Sequence, residues 1–317
     1  MLRSIFTNLS TRRSTNSPAK RSTFSPRLEA LEDRLVPAIT FHADAQSVTV
    51  DGDYWGNDTL VVRAMADGSH TVTDTAGTTI TAPAGKSLRV YTHNGDDVVL
   101  YRAGDLNGVT SAVFIDLGQG NNNFSAAFGG DLRNGANVFL AVQAWEGADV
   151  MNVYGTEFAP NRNGDHVADG STINTGGLLI DSTSHLNVAM FGGGGADIMH
   201  FAYDGELDGH LGLEMSGDAG DDFVGASLTV RERSTGQIGN FEDGRSGSAL
   251  VEGGAGSDTL AFHIDDHSDH HVAIDAAIDG DYILHLMLNK SPFDKDTASH
   301  TSNVAVMECE VVTLQTY

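Results

Sequence analysis

From residue 39 onward the chain alternates short apolar runs with glycine-rich breaks. Leu60-Val61-Val62 and Val98-Val99-Leu100-Tyr101 are examples of the runs. Short runs of apolar and aromatic residues bounded by Gly, Asn and Asp predict strands joined by tight turns. One break recurs as glycine, any residue, aspartate, any residue, large apolar. It occurs as Gly56-Asn57-Asp58-Thr59-Leu60, Gly95-Asp96-Asp97-Val98-Val99, Gly147-Ala148-Asp149-Val150-Met151 and Gly195-Ala196-Asp197-Ile198-Met199. Two more copies are Gly220-Asp221-Asp222-Phe223-Val224 and Gly256-Ser257-Asp258-Thr259-Leu260, and Gly120-Asn121-Asn122-Asn123-Phe124 puts Asn in the Asp slot. The glycines lie 39, 25, 27, 48, 25 and 36 residues apart. A repeat in this range predicts a solenoid, with one coil near 25 residues and longer excursions. Residues 155–190 read as a coil with an inserted loop.

The repeated turn has a mechanical logic. Glycine reaches positive φ and bends the backbone sharply. Asp or Asn bonds back to nearby N–H groups. The apolar residue two places later starts the next strand and points inward. Stacked at ~4.8 Å, such coils bury their apolar faces only against their neighbours. The predicted fold is all-β, a right-handed parallel β-helix or β-roll over residues 39–261. Residues 262–317 are poor in glycine and predict a β-rich C-terminal cap. In it, Val272-Ala273-Ile274 and Tyr282-Ile283-Leu284-His285-Leu286 form two strands joined around Asp279-Gly280-Asp281, with one or two more strands in 304–314. Residues 1–38 are different. Ser, Thr and Arg dominate, predicting a disordered segment, and Leu28, Leu31 and Leu35 share one face of a short helix that Pro37 ends.

Charge sharpens the picture. The chain holds 43 acidic and 18 basic residues, net −25, which argues against nucleic-acid binding and for divalent cations as partners. Seven of the basic residues fall in residues 1–38, beside only Glu29, Glu32 and Asp33, so the body is more acidic than the total implies. Cys309 is the single cysteine, so an internal disulfide and a multi-cysteine metal site are excluded. No apolar run is long enough for a transmembrane helix, and the N-terminus lacks the apolar core of a secretory signal peptide.

If the turns stack, carboxylates of successive coils approach within ~5 Å and repel by roughly 3 kcal/mol at an effective dielectric of ~20. A cation, a proton or water must answer that repulsion. Ca²⁺ takes 6–8 oxygen ligands, backbone carbonyls included. The candidate metal ligands are therefore Asp58, Asp97, Asn122, Asp149, Asp197, Asp222 and Asp258, with Gly195, Gly220 and Gly256 supplying carbonyls. Asp197 with Asp222 is the best pair, one coil apart. The plainer alternative is that these side chains close turns and stay solvated.

Two resemblances add to this reading. Gly192-Gly193-Gly194-Gly195-Ala196-Asp197-Ile198-Met199-His200 and Gly253-Gly254-Ala255-Gly256-Ser257-Asp258-Thr259-Leu260-Ala261 match the nonapeptide G-G-x-G-x-D-x-U-x. Gly217-Asp218-Ala219-Gly220-Asp221-Asp222-Phe223-Val224 lacks only the second glycine. These stretches resemble hemolysin-type (RTX-like) calcium-binding repeats, and the resemblance implies a β-roll with Ca²⁺ between turns in a secreted protein. In that family the nonapeptides run in tandem, whereas here each stands alone. Ser25-Pro26-Arg27-Leu28-Glu29-Ala30-Leu31-Glu32-Asp33-Arg34-Leu35-Val36-Pro37-Ala38 resembles the LEALEDR-x-VPA motif of exported planctomycete surface proteins, which implies export.

Other chemistry is thinner. Asp96-Asp97, Asp221-Asp222 and Asp265-Asp266 offer paired carboxylates of the kind glycosidases use, but each sits at an expected turn or loop. No nucleophile elbow or phosphate loop is present. Tyr54, Trp55, Tyr101 and Trp145 are candidates for stacking on sugars, or for filling the core. His263-Ile264-Asp265-Asp266-His267-Ser268-Asp269-His270-His271 has metal-ligand types and reads mainly as an exposed loop. The sequence thus predicts a non-enzymatic, extracellular or cell-surface acidic protein, structural or adhesive, with Ca²⁺ at its turns. The alternatives are a carbohydrate-active β-helix enzyme and a module that binds surface or matrix polysaccharide.

Overall fold

Successive coils lay their strands onto two long sheets, and this follows from the period-2 burial of each apolar run. The computed structural model describes residues 39–155, 177–231, 234–239 and 249–267, and the backbone of five strands between 273 and 316. The helix expected near residue 31, Cys309 and residues 268–271 lie outside these. All described regular structure is β, as expected.

The first sheet stacks Ser47–Asp51, Ser87–Tyr91, Thr110–Asp116, Asn137–Gln143, His185–Phe191 and His210–Ser216 in parallel. The second stacks Thr59–Ala64, Val98–Ala103, Asn123–Phe128, Val150–Gly155, Ile198–Gly205, Phe223–Val230 and Thr259–Asp266, also in parallel. A third, minimal side joins them. It holds the pair Leu106–Asn107 with Leu132–Arg133 and single-residue bridges from Leu132 through Ile180 to Leu207.

The apolar residue of the repeated motif forms one inward column in register: Leu60, Val99, Phe124, Met151, Met199, Val224 and Leu260, each fully buried. The next inward column sets aromatic rings beside smaller side chains, running Tyr101, Ala126, Val153, Phe201, Ala226, Phe262. A large ring on one coil therefore sits over a small side chain on the next. Burying each large side chain contributes roughly 1.5–3 kcal/mol. Tyr101 is a core filler at 1% exposure, beside Phe128, so of its two readings the structure selects packing over sugar stacking.

The irregular intervals also resolve. In six coils the first-sheet strand ends seven positions before the second-sheet strand begins, as from Tyr91 to Val98 and from Phe191 to Ile198. All extra length lies elsewhere in the coil. The 39-residue interval holds an antiparallel hairpin, His70–Asp74 with Thr79–Ala82, beside the first coil's strand. With Thr40–Ala43 antiparallel to Ser47–Asp51, it covers the N-terminal edge that parallel stacking would leave open. The 48-residue interval is one coil with an insertion, because Glu146 bridges Gly194 directly. The C-terminal strands Ala273–Asp279 and Tyr282–Lys290 fall in different sheets and prolong both.

Candidate functional site: a column of buried carboxyls

The sequence-predicted Asp and Asn side chains do converge. Asp58, Asp97, Asn122, Asp149, Asp197, Asp222 and Asp258 stack in one column along the turn, all 0–4% exposed. They face inward because each stands two residues before an inward apolar residue, and side chains two apart on extended chain share a face. The expectation of solvated turn-closers is thereby corrected.

Asp58 is held within its own turn, by the N–H of Asp53 at 2.8 Å, and every later side chain is held by the coil before it. The backbone N–H of Asp58 donates to Oδ1 of Asp97 at 2.6 Å, that of Asp97 to Asn122 at 3.0 Å, and that of Asn122 to Asp149 at 2.7 Å. The ladder continues from Asp149 to Asp197 and from Asp197 to Asp222 at 2.8 Å, then from Asp222 to Asp258 at 3.0 Å. These N–H groups sit in a turn and would otherwise be buried without a partner.

The second carboxyl oxygen has a different fate. Oδ2 of Asp197 and of Asp222 is buried with no hydrogen-bond partner. Burial raises the pKa of Asp197 to about 7, opposed by its hydrogen bond from Asp149, and the charges of Asp149 and Asp222 add to the rise. Burial likewise raises Asp222 and Asp58 to about 6, and pushes Asp97 and Asp149 upward. Asn122 shows what such a position wants. Its Oδ1 accepts from Asp97, and its Nδ2 donates to the Gly120 carbonyl at 3.1 Å. A protonated Asp presents the same pattern, one acceptor and one donor.

The glycines of the motif now have separate reasons. A Cβ on Gly192 would lie 2.5 Å from Oδ2 of Asp197, and one on Gly217 would lie 2.4 Å from Oδ2 of Asp222. The first glycine thus makes room for the carboxyl. After the first copy, the motif glycine itself has positive φ and faces the carbonyl of the previous coil: Gly195 is at φ 136°, and its Cβ would stand 1.5 Å from the Gly147 oxygen.

A second ladder runs outside the first in the opposite sense, from the residue between Gly and Asp. Oδ1 of Asn57 accepts from the N–H of Asp96 at 3.0 Å, Asp96 from Asn121 at 2.8 Å, Asn121 from Ala148 at 2.9 Å, and Asp221 from Ser257 at 3.0 Å. Reading this position as unrestricted missed the ladder. The signal was the Asn or Asp at four of the seven copies.

The column does not fit a calcium cage. Ca²⁺ asks for 6–8 oxygens, whereas each column carboxyl already gives one oxygen to a backbone N–H. Among the described residues no three carboxylate, imidazole or thiol groups converge on a point that could hold a metal ion. Of the His/Asp cluster, His263, Asp265 and Asp266 complete a second-sheet strand rather than a loop, and His267 pairs with Asp265 at 2.9 Å. No family model, curated protein or solved structure matches the chain.

Proposed function

We propose that the chain is an acidic structural module of the cell exterior, a spacer whose coils are locked to one another by side chains rather than by ions. The observation that carries this reading is the unbroken inner column. Every turn from Asp58 to Asp258 is bonded to the next, which is an investment in rigidity along the stack. The likeness of residues 25–38 to the export-associated motif supports the location. The net charge of −25 supports solubility in a crowded surface layer. In this reading calcium is not required to close the turns, and the exposed acids attract cations only as a diffuse atmosphere.

Two measurements test it. Protease added to intact cells of the source organism is expected to degrade the full-length chain, and digestion only after lysis would refute the location. Melting in EDTA and in millimolar Ca²⁺ is expected to agree within the small shift that matched Mg²⁺ also gives. A large, saturable rise specific to Ca²⁺ would return the ion to the turns.

A further inference from the structure

The outer edge of the same turn carries an open groove of about 540 Å³, within the roughly 300–1,000 Å³ range of small-molecule sites. Its origin lies in the four consecutive glycines Gly192–Gly195. Those four positions present no side chain at the edge, so the neighbouring coils stand as walls. Gln119, Gln143 and Glu146 lie on one side and Asp218 on the other, with Trp145 and Phe191 flanking. Register explains the grouping: Gln119, Glu146 and Gly194 bridge in sequence along the turn, and Gln143 pairs with Phe191.

Trp145 is the unusual member. It is 56% exposed, although an indole is a large apolar surface to leave in water. It occupies the place in its coil that Gly118 and Gly193 occupy in the coils on either side, two before the motif glycine. Neither neighbour has a side chain to cover the ring. Around it stand groups that accept and donate without a positive charge. The Nε2 of Gln143 is steadied by Oδ2 of Asp116 at 2.9 Å, and Asp218 is steadied by Ser216 at 2.8 Å. None of the lining residues is cationic. Phosphate, sulfate and uronate are therefore repelled.

We propose that this groove binds a pyranose unit of a neutral polysaccharide, with Trp145 stacked on the sugar's C–H face and Gln119, Gln143, Glu146 and Asp218 bonding its hydroxyls. A polymer fits better than a free sugar, because a second aromatic group lies farther along the same edge. Exposed Tyr54 and Trp55 cluster there with His93. Three coil steps separate the two groups, roughly 14 Å at ~4.8 Å per step. The inference is independent of the spacer role and gives the module something to hold.

The test is affinity electrophoresis of the full chain in gels containing a neutral β-glucan, a galactomannan or a xylan, with polygalacturonate as the anionic control. Retardation is expected in at least one neutral gel, unchanged by 0.5 M NaCl, and not in polygalacturonate. Trp145→Ala is expected to weaken that retardation at least tenfold with unchanged thermal melting, Trp145→Phe to keep part of it, and Trp55→Ala to weaken it less. Absence of retardation in all neutral gels would overturn the proposal. So would equal retardation in polygalacturonate, loss of binding in salt, or a Trp145→Ala protein that runs like wild type.

Discussion

Replacing Asp197 with Asn is expected to stabilise the protein at neutral pH, although it removes a buried, hydrogen-bonded carboxylate. Burial moves this group from 3.8 to about 7. Below pH 3.8 the carboxyl is protonated in both the folded and the unfolded chain. As pH rises from there, the unfolded chain gives up the proton while the folded chain keeps it, so stability falls. The loss is complete once the pH passes about 7. At about 1.4 kcal/mol per pH unit, three units amount to roughly 4 kcal/mol. An amide does not titrate. Its oxygen still accepts the Asp149 N–H, and its nitrogen donates as Asn122 does to Gly120 at 3.1 Å. The assay is urea unfolding of both proteins at pH 5 and pH 7. The variant's stability relative to wild type is expected to improve by roughly 2 kcal/mol between those pH values, and shared titrations cancel in the difference. A gap that does not change with pH, or a variant less stable than wild type at pH 8, would refute the raised titration of Asp197.

Three further outcomes follow from the same geometry. Gly195→Ala forces a Cβ toward the Gly147 carbonyl at positive φ and is expected to cost more than about 3 kcal/mol, read by urea denaturation; a loss under ~1 kcal/mol would mean the coils are looser than described. Ala148→Asn extends the outer ladder where it has no acceptor and is expected to add about 0.5–1.5 kcal/mol, seen as a raised melting temperature. Tyr203→Phe removes a buried hydroxyl that donates to the Leu178 carbonyl at 3.0 Å and is expected to cost ~1–3 kcal/mol, with faster amide exchange at residues 178–180.

Much of this architecture was legible in the chain. The Gly-x-Asp-x-apolar spacing predicted stacked turns, and the apolar member of each copy lies in the inward column from Leu60 to Leu260. The direction of the Asp side chain was legible too, because it shares parity with that apolar residue. Solvation seemed its natural fate only because aspartate is usually exposed. What lay beyond reading was the partner. An N–H of Asp149 meeting Asp197 spans 48 residues, and no local pattern announces a contact across an insertion. The antiparallel hairpin at His70–Ala82 was hidden for another reason: its alternation is that of any strand, and only pairing separates an edge cover from a further coil. Trp145 was visible as a residue but not as a platform. Its exposure depends on Gly118 and Gly193, which become its neighbours only once the coils are stacked.

The seven-position step from first-sheet strand to second-sheet strand, kept in six coils and one longer only in the first, divides the circumference into a part that keeps length and a part that varies it. The hydrogen-bonded columns hold the step nearly constant, whereas the opposite side, pinned by single bridges at Leu132, Ile180 and Leu207, accommodates the insertion between Gly155 and Gly177. Foreign peptides spliced at that side would project from the stack while its spine stayed in register, so the module is a natural carrier for grafted epitopes at a single chosen height.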